Sequence, residues 1–352
     1  MRFPAITIVI ATFNSEKTLG KVLDSLKKQT YPKEKTKIVI VDGGSKDKTL
    51  EIARGYRCEV ISNPRTEPVY GKFIAFKKVK SQYIIYIDAD EVVENKNSIA
   101  LKIEAFRKHS MVKAVVGSGY KNPKGYPFIN QYINEFGDPF TFFTYRLSKD
   151  TRFFINSMRS RYEVISRSKN YEIFDLSKAL SLPIIELVAG GSGFDATFLK
   201  NEFPKTIQRY EFLPHFFYLI YQKYPYLAVV KNDSLIHHSV SSVKQFLSKI
   251  SWRVKNNVYF TSTMGKAGFL GREEYQPRWF RLKKYLFIPY SFLLIFPLFD
   301  SLYLVITRKN LSYLLHLPLC IYTALLIIFH FLLSKIGHIE PLKSYDEIKT
   351  IN

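Results

Sequence analysis

The chain has 352 residues, of which 52 are Lys or Arg and 30 are Asp or Glu, so its formal net charge is +22. Its length suits a core domain with an appendage, and a hydrophobic content of 47% is enough for a substantial core. The two cysteines, Cys58 and Cys320, exclude a disulfide framework and are compatible with a reducing compartment. The large positive net charge attracts anionic partners, namely nucleic acid, anionic lipid or phosphorylated substrates.

The first 120 residues alternate short β-branched runs with helical segments. The strands are predicted over 5–11, 37–41, 58–62 and 83–87, and the helices over 15–29, from Lys46 with Ser45 as its cap, and over 71–81. This alternation predicts an α/β fold with a doubly wound, mostly parallel sheet. The apolar run at the N-terminus is short and lacks a cleavage site, so we interpret it as the first strand rather than a signal peptide.

The middle of the chain, about 121–210, is irregular and rich in aromatic residues and arginine, and it contains a glycine cluster at 189–199. A helical run beginning "YEFLPHFF" follows, and then a strand, "LAVVKN", leads to "SLIHHS". From Ser239 to Lys284 there are ten Lys or Arg residues against two Glu. We therefore expect basic, amphipathic interfacial helices over 241–284.

Two long apolar stretches follow that basic segment. Tyr285 to Thr307 contains one charged residue, Asp300, and Leu311 to Leu333 contains none. About 20 apolar residues span a bilayer as a helix, so we predict two membrane helices over 285–333 and a polar tail over 334–352. A buried hairpin in a soluble domain is the alternative. Two full crossings also place Arg308 and Lys309 on the far side, against the positive-inside tendency, which leaves a re-entrant or interfacial hairpin open.

The stretch "YIIYIDADEVVE" ends a hydrophobic strand on two aspartates, Asp88 and Asp90. Positions i and i+2 of an extended segment point the same way, so both carboxylates can converge on a hard divalent cation such as Mg²⁺ or Mn²⁺. A solvated strand end is the alternative. Asp42 follows the second strand, and it either accepts hydrogen bonds from a ribose or base or only caps the turn made by Gly43 and Gly44. The first strand is not followed by G-x-G-x-x-G, which argues against a nicotinamide cofactor.

These motifs, together with "VIATFNSEKTL", the glycine cluster and "SLIHHS", occur in an order that resembles inverting family 2 glycosyltransferases of the GT-A fold. The resemblance covers about residues 5–240, and we expect this region to form the catalytic domain. It implies a nucleotide-sugar donor, a UDP- or GDP-sugar, and a divalent cation, Mn²⁺ or Mg²⁺, that neutralises charge on the departing nucleoside diphosphate.

The resemblance also implies roles for individual residues. Three lie near the nucleotide: Thr12, Asn14 and Glu16. Asp42 is implied to contact the base, Asp88 the ribose, and Asp90 the metal ion that bridges the diphosphate. The family often has two aspartates where this chain has Asp42 and Gly43, which weakens the base contact.

A general base is needed for inverting transfer to a hydroxyl, on the face opposite the leaving group. Many members carry an acidic pair after the glycine cluster, but this chain has one acid there, Glu211. Glu211 is the candidate base, with an ordinary helix-start acid as the alternative, and Asp195 is the reserve. His237 and His238 lie at the strand end where related enzymes place a histidine that binds the metal or the diphosphate, with a purely structural role as the alternative. Strand alternation turns only one of them toward the site, and we favour His237.

Several basic residues are candidates for phosphate contacts. Lys72 stands where the family places a basic residue near the donor, with a solvated surface as the alternative. Arg159 and Arg161 can grip an acceptor phosphate or lie on a surface loop. Lys249 and Arg253 share a helical face that either touches head groups or product diphosphate or is simply solvated.

Together these features predict a membrane-attached glycosyltransferase with its catalytic domain on the cytoplasmic face, where nucleotide sugars are made. Its acceptor is expected to be lipid-linked or membrane-proximal, as in polysaccharide or glycolipid synthesis, and its basic linker to rest on an anionic membrane surface. Two other functions stay open: a catalytically inactive nucleotide-sugar-binding protein, and a basic nucleic-acid-binding protein. No nucleic-acid module is recognisable, which counts against the second.

Overall fold

The structure is a computed structural model that describes residues 3–184, 189–262 and 264–338. These residues divide into two compact units. The first unit takes in the described residues of 1–123, 149–179 and 185–238, and the second those of 124–148, 180–184 and 239–352. The domain boundaries expected at 240 and 284 stay predictions, and most of the tail predicted at 334–352 lies outside the described residues.

Twelve strands occur in the described residues of the first unit. They are β1 (Ile6–Thr12), β2 (Thr36–Asp42), β3 (Glu59–Ser62), β4 (Tyr83–Tyr86), β5 (Glu91–Val93), β6 (Ala114–Val116), β7 (Gly119–Lys121), β8 (Glu163–Arg167), β9 (Tyr171–Asp175), β10 (Ser192–Asp195), β11 (Tyr226–Val230) and β12 (Ser234–His237). The first four strands confirm the strands predicted from the β-branched runs.

The helices of the first unit are α1 (Glu16–Lys27), α2 (Thr49–Gly55), α3 (Pro68–Lys78), α4 (Ser98–Lys108), α7 (Phe154–Arg159), α8 (Ala196–Glu202) and α9 (Phe216–Tyr221). Those of the second are α5 (Phe128–Phe136), α6 (Pro139–Tyr145), α10 (Val243–Tyr259), α11 (Met264–Ala267), α12 (Phe269–Glu273), α13 (Arg278–Lys283), α14 (Phe287–Phe292), α15 (Ile295–Arg308) and α16 (His316–Lys335). Short 3₁₀ helices cover Lys33–Lys35, Pro204–Ile207, Tyr210–His215, Lys284–Leu286 and Leu311–Leu315.

Nine strands form one sheet in the order β3-β2-β1-β4-β10-β6-β11-β9-β8. The four strands β3, β2, β1 and β4 are parallel, whereas β10 runs antiparallel to both β4 and β6. Side chains on both faces of β1 are buried, because helices cover both faces of such a sheet. The helix predicted over 15–29 is α1. Its apolar residues recur at helical spacing, and Leu19, Val22, Leu23 and Leu26 are buried in the same core.

A smaller sheet has the order β5-β12-β7, and its strand β5 begins directly after the Asp88–Asp90 turn. β12 is antiparallel to β5, and its register sets His237 opposite Glu91. β12 is also parallel to β7. This small sheet therefore brings the histidine pair of "SLIHHS" to the aspartates of "DAD".

Two helix predictions were wrong in detail. The helix expected from Lys46 begins at Thr49, because the Ser45 hydroxyl bonds Asp42 rather than capping a helix. The long helical run after Arg209 is a 3₁₀ helix followed by the short helix α9. Pro214 lies inside that 3₁₀ helix, and it supplies no N–H to an α-helical ladder.

The second unit packs α5, α6, α10, α15 and α16 around its own apolar core. The segment Leu311–Lys335 is long and apolar enough to cross a membrane. The preceding pair, Arg278–Phe292 and Ile295–Arg308, reaches that length only when taken together, and it is bent by 89° at the break. The two apolar stretches predicted from the sequence are therefore one long helix and one sharply bent pair.

Candidate active site

Asp42 ends β2, and its buried carboxylate accepts four hydrogen bonds at the turn that follows. Oδ1 accepts from the hydroxyls of Thr12 (2.9 Å) and Ser45 (2.5 Å), and Oδ2 accepts from the N–H groups of Gly44 (2.9 Å) and Ser45 (2.8 Å). Gly44 has a φ of +91°, which glycine adopts without strain. Because a carboxylate offers about four lone-pair positions, this one is satisfied within the turn. A contact between Asp42 and a nucleotide base stays a prediction.

The loops after β1 and β2 are tied to each other. Asn14 accepts a hydrogen bond on Oδ1 from the N–H of Lys46 (2.9 Å), and its own N–H donates to Ser45 Oγ (2.8 Å). Glu16 accepts from the N–H of Lys48 at 3.1 Å. These bonds fix both loops at the carboxyl ends of neighbouring parallel strands, where ligands bind in sheets of this kind. The nucleotide roles of Asn14 and Glu16 stay predictions.

Lys72 lies in α3 with only 3% of its side chain exposed, and its ammonium group pairs with Asp88 Oδ1. Lys72 is therefore not a solvated surface residue, which was the alternative prediction for it. Asp88 keeps 37% of its side chain exposed. Two neighbouring aspartates repel each other when both are charged. The ammonium group of Lys72 neutralises one of these two charges, that of Asp88.

Asp90 lies against the histidine pair. His237 Nε2 is 3.6 Å from Asp90 Oδ1, and the His237 ring packs on Tyr120 with 4.9 Å between ring centroids. His238 instead approaches the backbone carbonyl of Asp90, to which its N–H donates at 3.0 Å. The structure thus turns the imidazole of His237, the favoured histidine, toward the Asp90 carboxylate.

Glu91, the first residue of β5, is a site residue that the sequence analysis missed. It is fully buried, and its carboxylate accepts from the N–H of Asp88 (2.8 Å), the hydroxyl of Tyr120 (2.9 Å) and the N–H of Gly190 (2.8 and 3.0 Å to the two oxygens). It therefore joins three segments: the aspartate turn, the strand that supports His237 and the glycine cluster. Burial, with the charge of Asp88, raises the pKa of Glu91 to about 8.

A signal for Glu91 was present in the sequence. In "DADEVVE" the residues alternate along a strand, so Glu91 shares its inward face with Val93, and both are buried. An acid at an inward strand position beside two other acids indicates a specific set of hydrogen-bond donors, because an unpaired buried carboxylate is costly.

Glu211 lies in the 3₁₀ helix after Arg209, with its side chain 18% exposed and Oε2 3.7 Å from Arg209 Nε. The neighbouring Tyr210 packs edge-on against Tyr70 at 5.7 Å, which holds Glu211 beside the start of α3. Burial raises the pKa of Glu67 at that start, and the charge of Glu211 adds to the rise. Glu67 is thus a second acid near the candidate base, contributed by a different element.

The reserve base, Asp195, is not brought to the aspartate turn. It lies opposite Tyr83 at the amino end of β4, whereas Asp88 follows the carboxyl end of that strand. Its carboxylate caps α8 by accepting from the N–H of Phe198 (3.0 Å) and pairs with Lys113 at 3.0 Å. Asp195 thus has a local structural role at the opposite edge of the sheet.

Arg159 does not present a free guanidinium group for an acceptor phosphate. Its Nε and Nη2 atoms bond both carboxylate oxygens of Glu172, at 2.9 and 2.5 Å, and Lys231 lies 3.1 Å from the same carboxylate. The Arg159 hydrogen bond is the largest cause that lowers the pKa of Glu172 to about 2. Arg161 is exposed just after α7, as the surface-loop alternative expects.

Lys249 and Arg253 belong to the second unit and have partners within it. Lys249 is buried, and its ammonium group donates to the hydroxyl (2.7 Å) and carbonyl (3.1 Å) of Ser239. Arg253 Nη1 pairs with Asp138 Oδ2 at 2.8 Å. The expectation of an exposed basic face built on both residues is therefore corrected, because burial removes Lys249 from the surface.

Asp90 and His237 are the side chains best placed to hold a divalent cation. A carboxylate oxygen and an imidazole nitrogen are both suitable ligands for Mn²⁺, and Mg²⁺ or Mn²⁺ also takes ligands from water and substrate phosphates. Within residues 3–184, 189–262 and 264–338, no three His, Cys, Asp or Glu side chains form a complete metal-binding group.

Comparison with solved structures defines the class of fold. The mannosyltransferase PcManGT from Pyrobaculum calidifontis, solved with GDP-Man and Mn²⁺, matches 95% of this chain and 88% of its own, with a TM-score of 0.56 and 13% identity. At that identity the likeness concerns the fold alone, which is the GT-A fold of glycosyltransferases.

Sequence comparison then finds a family match for part of the chain: residues 7–170 match the model of glycosyl transferase family 2. The poly(ribitol-phosphate) β-N-acetylglucosaminyltransferase TarS of Staphylococcus aureus is 31% identical over 99 residues, which cover 26% of this chain and 17% of that protein. A dolichyl N-acetyl-α-D-glucosaminyl phosphate glycosyltransferase of Methanococcus voltae, which transfers a diacetamido-dideoxyglucuronosyl group, is 33% identical over 104 residues, or 27% of this chain and 32% of that protein. The matched regions thus span less than a third of either relative.

Proposed function

We propose that this protein is a glycosyltransferase that moves a sugar from a UDP- or GDP-sugar to a lipid-linked or membrane-proximal acceptor, with inversion at the anomeric carbon. One observation carries the proposal. Within the region that matches family 2, the aspartates of the Lys72–Asp88 pair and the Asp90–His237 pair lie two positions apart, just after the carboxyl end of β4. This is the edge of the sheet at which an α/β fold binds its ligand.

The charges at this edge suit a nucleoside diphosphate leaving group. Lys72 neutralises the charge of Asp88, so phosphate oxygens that approach this edge meet one negative charge fewer. Asp90 and His237 would hold the divalent cation, which when bound supplies charge neutralisation for the diphosphate. Asp42 keeps the loop beside the nucleotide in one conformation through its four hydrogen bonds.

Glu211 is the proposed general base. It is mostly buried yet not sealed within the core, and its pairing with Arg209 at 3.7 Å is loose enough to leave it available to an acceptor hydroxyl. In the proposed reaction its carboxylate takes the hydroxyl proton as the acceptor oxygen attacks the anomeric carbon, and the bond to the diphosphate oxygen breaks on the opposite face.

The proposed location is a membrane, with the catalytic domain on its cytoplasmic face. Of the 26 large hydrophobic side chains that are exposed in the described residues, 22 lie between Trp279 and Ile336. Soluble monomers rarely expose contiguous apolar surface on this scale, and a bilayer is the partner whose chemistry matches it. A membrane-bound enzyme meets lipid-linked acceptors directly, which is why we propose that acceptor class.

Binding of UDP and GDP, measured by calorimetry with Mn²⁺ and with EDTA, tests the donor site. We expect one of the two nucleotides to bind in the presence of Mn²⁺, and we expect Asp90→Ala to lose that binding. Asp195→Asn is the matched control, because it changes an aspartate at the other edge of the sheet. If neither nucleotide binds to the folded wild-type protein, the donor site is wrongly assigned.

Turnover then separates the enzyme from an inactive nucleotide-sugar-binding protein. Hydrolysis or transfer from the bound donor, followed by detection of released nucleoside diphosphate, is expected in the wild type and not in Glu211→Gln. Nucleotide affinity should be equal in the two proteins, because Glu211 is proposed to act on the acceptor. A wild type that binds a donor and never releases its sugar would support the inactive binding protein instead.

A further inference from the structure

The helix α16 runs beside the basic helix α10 for most of its length. At one end, Tyr132 contacts both Phe246 of α10 and His316 of α16, with ring centroids 5.8 and 6.0 Å apart. At the other end, the hydroxyl of Tyr259 in α10 lies 2.8 Å from His330 Nδ1 in α16. Residues 246–259 and 316–330 each span about 20 Å at a rise of 1.5 Å per residue, so the two helices stay together over that distance.

The composition of α10 decides where this pair of helices can lie. It carries four basic residues along its length, at positions 244, 249, 253 and 255, and no acid. Lys249 is buried against Ser239, but Lys244, Arg253 and Lys255 keep part of their side chains at the surface. Charged side chains at the surface of a helix are not accommodated in the hydrocarbon core of a bilayer. The part of α16 that lies beside α10 is thereby also kept out of the core. What is left of α16 after His330 is five residues, or about 8 Å, against a core about 30 Å thick.

The helix α15 is likewise held by polar contacts within the same unit. Arg308 Nε pairs with Glu135 Oε1 of α5 at 2.8 Å, and the Tyr313 hydroxyl donates to the other oxygen of that carboxylate. Asp300, in the middle of α15, pairs with Arg146 just after α6. The charged residue at the end of α15 therefore stays beside α5 rather than on the far side of a bilayer, which removes the conflict with the positive-inside tendency.

Basic and apolar side chains alternate on the surface where the exposed apolar region begins. In α13, Arg278 and Arg281 are exposed together with Trp279 and Leu282. Arginine next to tryptophan and leucine is the composition of a segment that lies in the head-group region, with its apolar side chains reaching about 5–10 Å toward the acyl chains. This charge complements an anionic lipid surface.

We infer that the second unit binds a single leaflet of an anionic bilayer, with α14, α15 and α16 lying in the interface and none of them crossing. The inference rests on the proposed attachment to a membrane and specifies its form. It assigns the apolar surface between Trp279 and Ile336 to lipid, and it places the segments before α10, after α15 and after α16 on one side of the bilayer.

Paired cysteines test this arrangement in the full chain. In a background of Cys58→Ser, with Cys320 left in place because it is buried, two variants carry Ser241→Cys together with either Lys309→Cys or His338→Cys. The proteins are reconstituted into sealed vesicles of phosphatidylcholine and phosphatidylglycerol, treated with a membrane-impermeant maleimide and weighed by mass spectrometry. Labelling after addition of detergent confirms that both introduced cysteines react.

The labelling pattern does not depend on how the proteins are oriented in the vesicles. We expect each molecule to carry two labels or none, because both cysteines of a pair lie on one side. Singly labelled molecules in the Lys309→Cys pair would mean that α15 crosses. Singly labelled molecules in the His338→Cys pair alone would mean that α16 crosses, and either result overturns the inference. Failure to float with vesicles would overturn it too, while donor binding, measured separately in detergent, would still stand or fall by itself.

Discussion

Glu91 illustrates how a single buried carboxylate organises this site. The carboxylate accepts hydrogen bonds from Asp88, Tyr120 and Gly190, which belong to three different segments of the chain. An apolar residue of similar size in its place would leave two backbone N–H groups buried without a partner, and each such group costs about 1–3 kcal/mol. Glu91 is therefore a positioning residue: it holds the turn that carries Asp88 and Asp90.

We expect Glu91→Leu to destabilise the protein by about 2 kcal/mol, because leucine offers no acceptor to the N–H groups of Asp88 and Gly190. Tyr120→Phe is the milder comparison, with an expected loss of about 1 kcal/mol, since it removes one hydrogen bond and leaves the ring against His237. Unfolding in denaturant measures both variants. Equal stability of Glu91→Leu and the wild type would show that Glu91 does not hold the turn.

Asp42 permits a sharper comparison at one position. Its two oxygens accept from two hydroxyls and two N–H groups, and an asparagine can keep the pair of N–H bonds with its oxygen while the hydroxyls of Thr12 and Ser45 rotate to accept from its amide. Asp42→Ala keeps none of these bonds. We therefore expect the alanine variant to be less stable than Asp42→Asn by about 1–3 kcal/mol, as measured by denaturant unfolding. If the two variants are equally stable, the four bonds contribute little to the fold.

At the scale of elements, the ion pairs of Glu172 link α7 and β11 to β9. Arg159 and Lys231 approach one carboxylate from these two directions. Such a carboxylate stabilises the fold only while it is ionised. The Arg159 hydrogen bond, as the largest cause, brings the pKa of Glu172 down from 4.5 to about 2. The folded state thus binds a proton at Glu172 less tightly than the unfolded state does. Stability therefore falls at the pH values where the unfolded chain binds that proton and the folded chain does not.

The resulting prediction concerns acid unfolding. The contribution of Glu172 to the stability of the fold is fully present above about pH 4.5, and it is lost as the pH falls through about 2. Glu172→Gln should therefore be less stable than the wild type at pH 7 and lose less stability between pH 4.5 and 2. Glu163→Gln, which changes an exposed acid in the adjacent β8, is the control and should follow the wild type. Parallel stability curves for Glu172→Gln and the wild type would contradict the prediction.

The sequence predicted the elements whose signals are local. Runs of β-branched residues marked β1 to β4, and the spacing of Leu19, Val22 and Leu26 marked the buried face of α1. The same is true of Asp88 and Asp90, because the motif and the strand that presents it are contiguous. The helix after β2 was placed three residues early, since Ser45 is claimed by Asp42 and not by a helix.

Other parts of the site depend on contacts between distant segments. The hydrogen-bond partners of Glu91 lie 29 and 99 positions away, and β10 joins the sheet in the direction that puts Asp195 at the wrong edge. Neither the direction of that strand nor the partner of Arg159 can be read from residue types alone, because both are set by tertiary packing. Helical spacing correctly put Lys249 and Arg253 on one face, but it could not tell whether that face is inside.

At the scale of the whole molecule, the net charge of +22 and the exposed apolar surface would act together in the proposed attachment to a membrane. Charge attracts the chain to any polyanion, but apolar burial distinguishes a bilayer from nucleic acid. Each basic residue near an anionic surface contributes about 1 kcal/mol, and this attraction fades with ionic strength. The apolar contribution does not fade in this way, so membrane binding should persist in salt that abolishes binding to a soluble polyanion.

Attraction by the charges beside the apolar surface can be separated from attraction by the total charge. The separation is made by removing the same number of charges at two different positions. Arg278→Gln combined with Arg281→Gln takes two exposed charges from the edge of the apolar surface, and at about 1 kcal/mol each this should weaken partitioning into phosphatidylglycerol vesicles about 30-fold. Lys27→Gln combined with Lys28→Gln removes the same charge from an exposed position at the end of α1. Sedimentation with vesicles should find this second variant close to the wild type. If both pairs weaken binding equally, the chain is attracted by its total charge alone, and a general affinity for polyanions, including nucleic acid, becomes the better account of its surface.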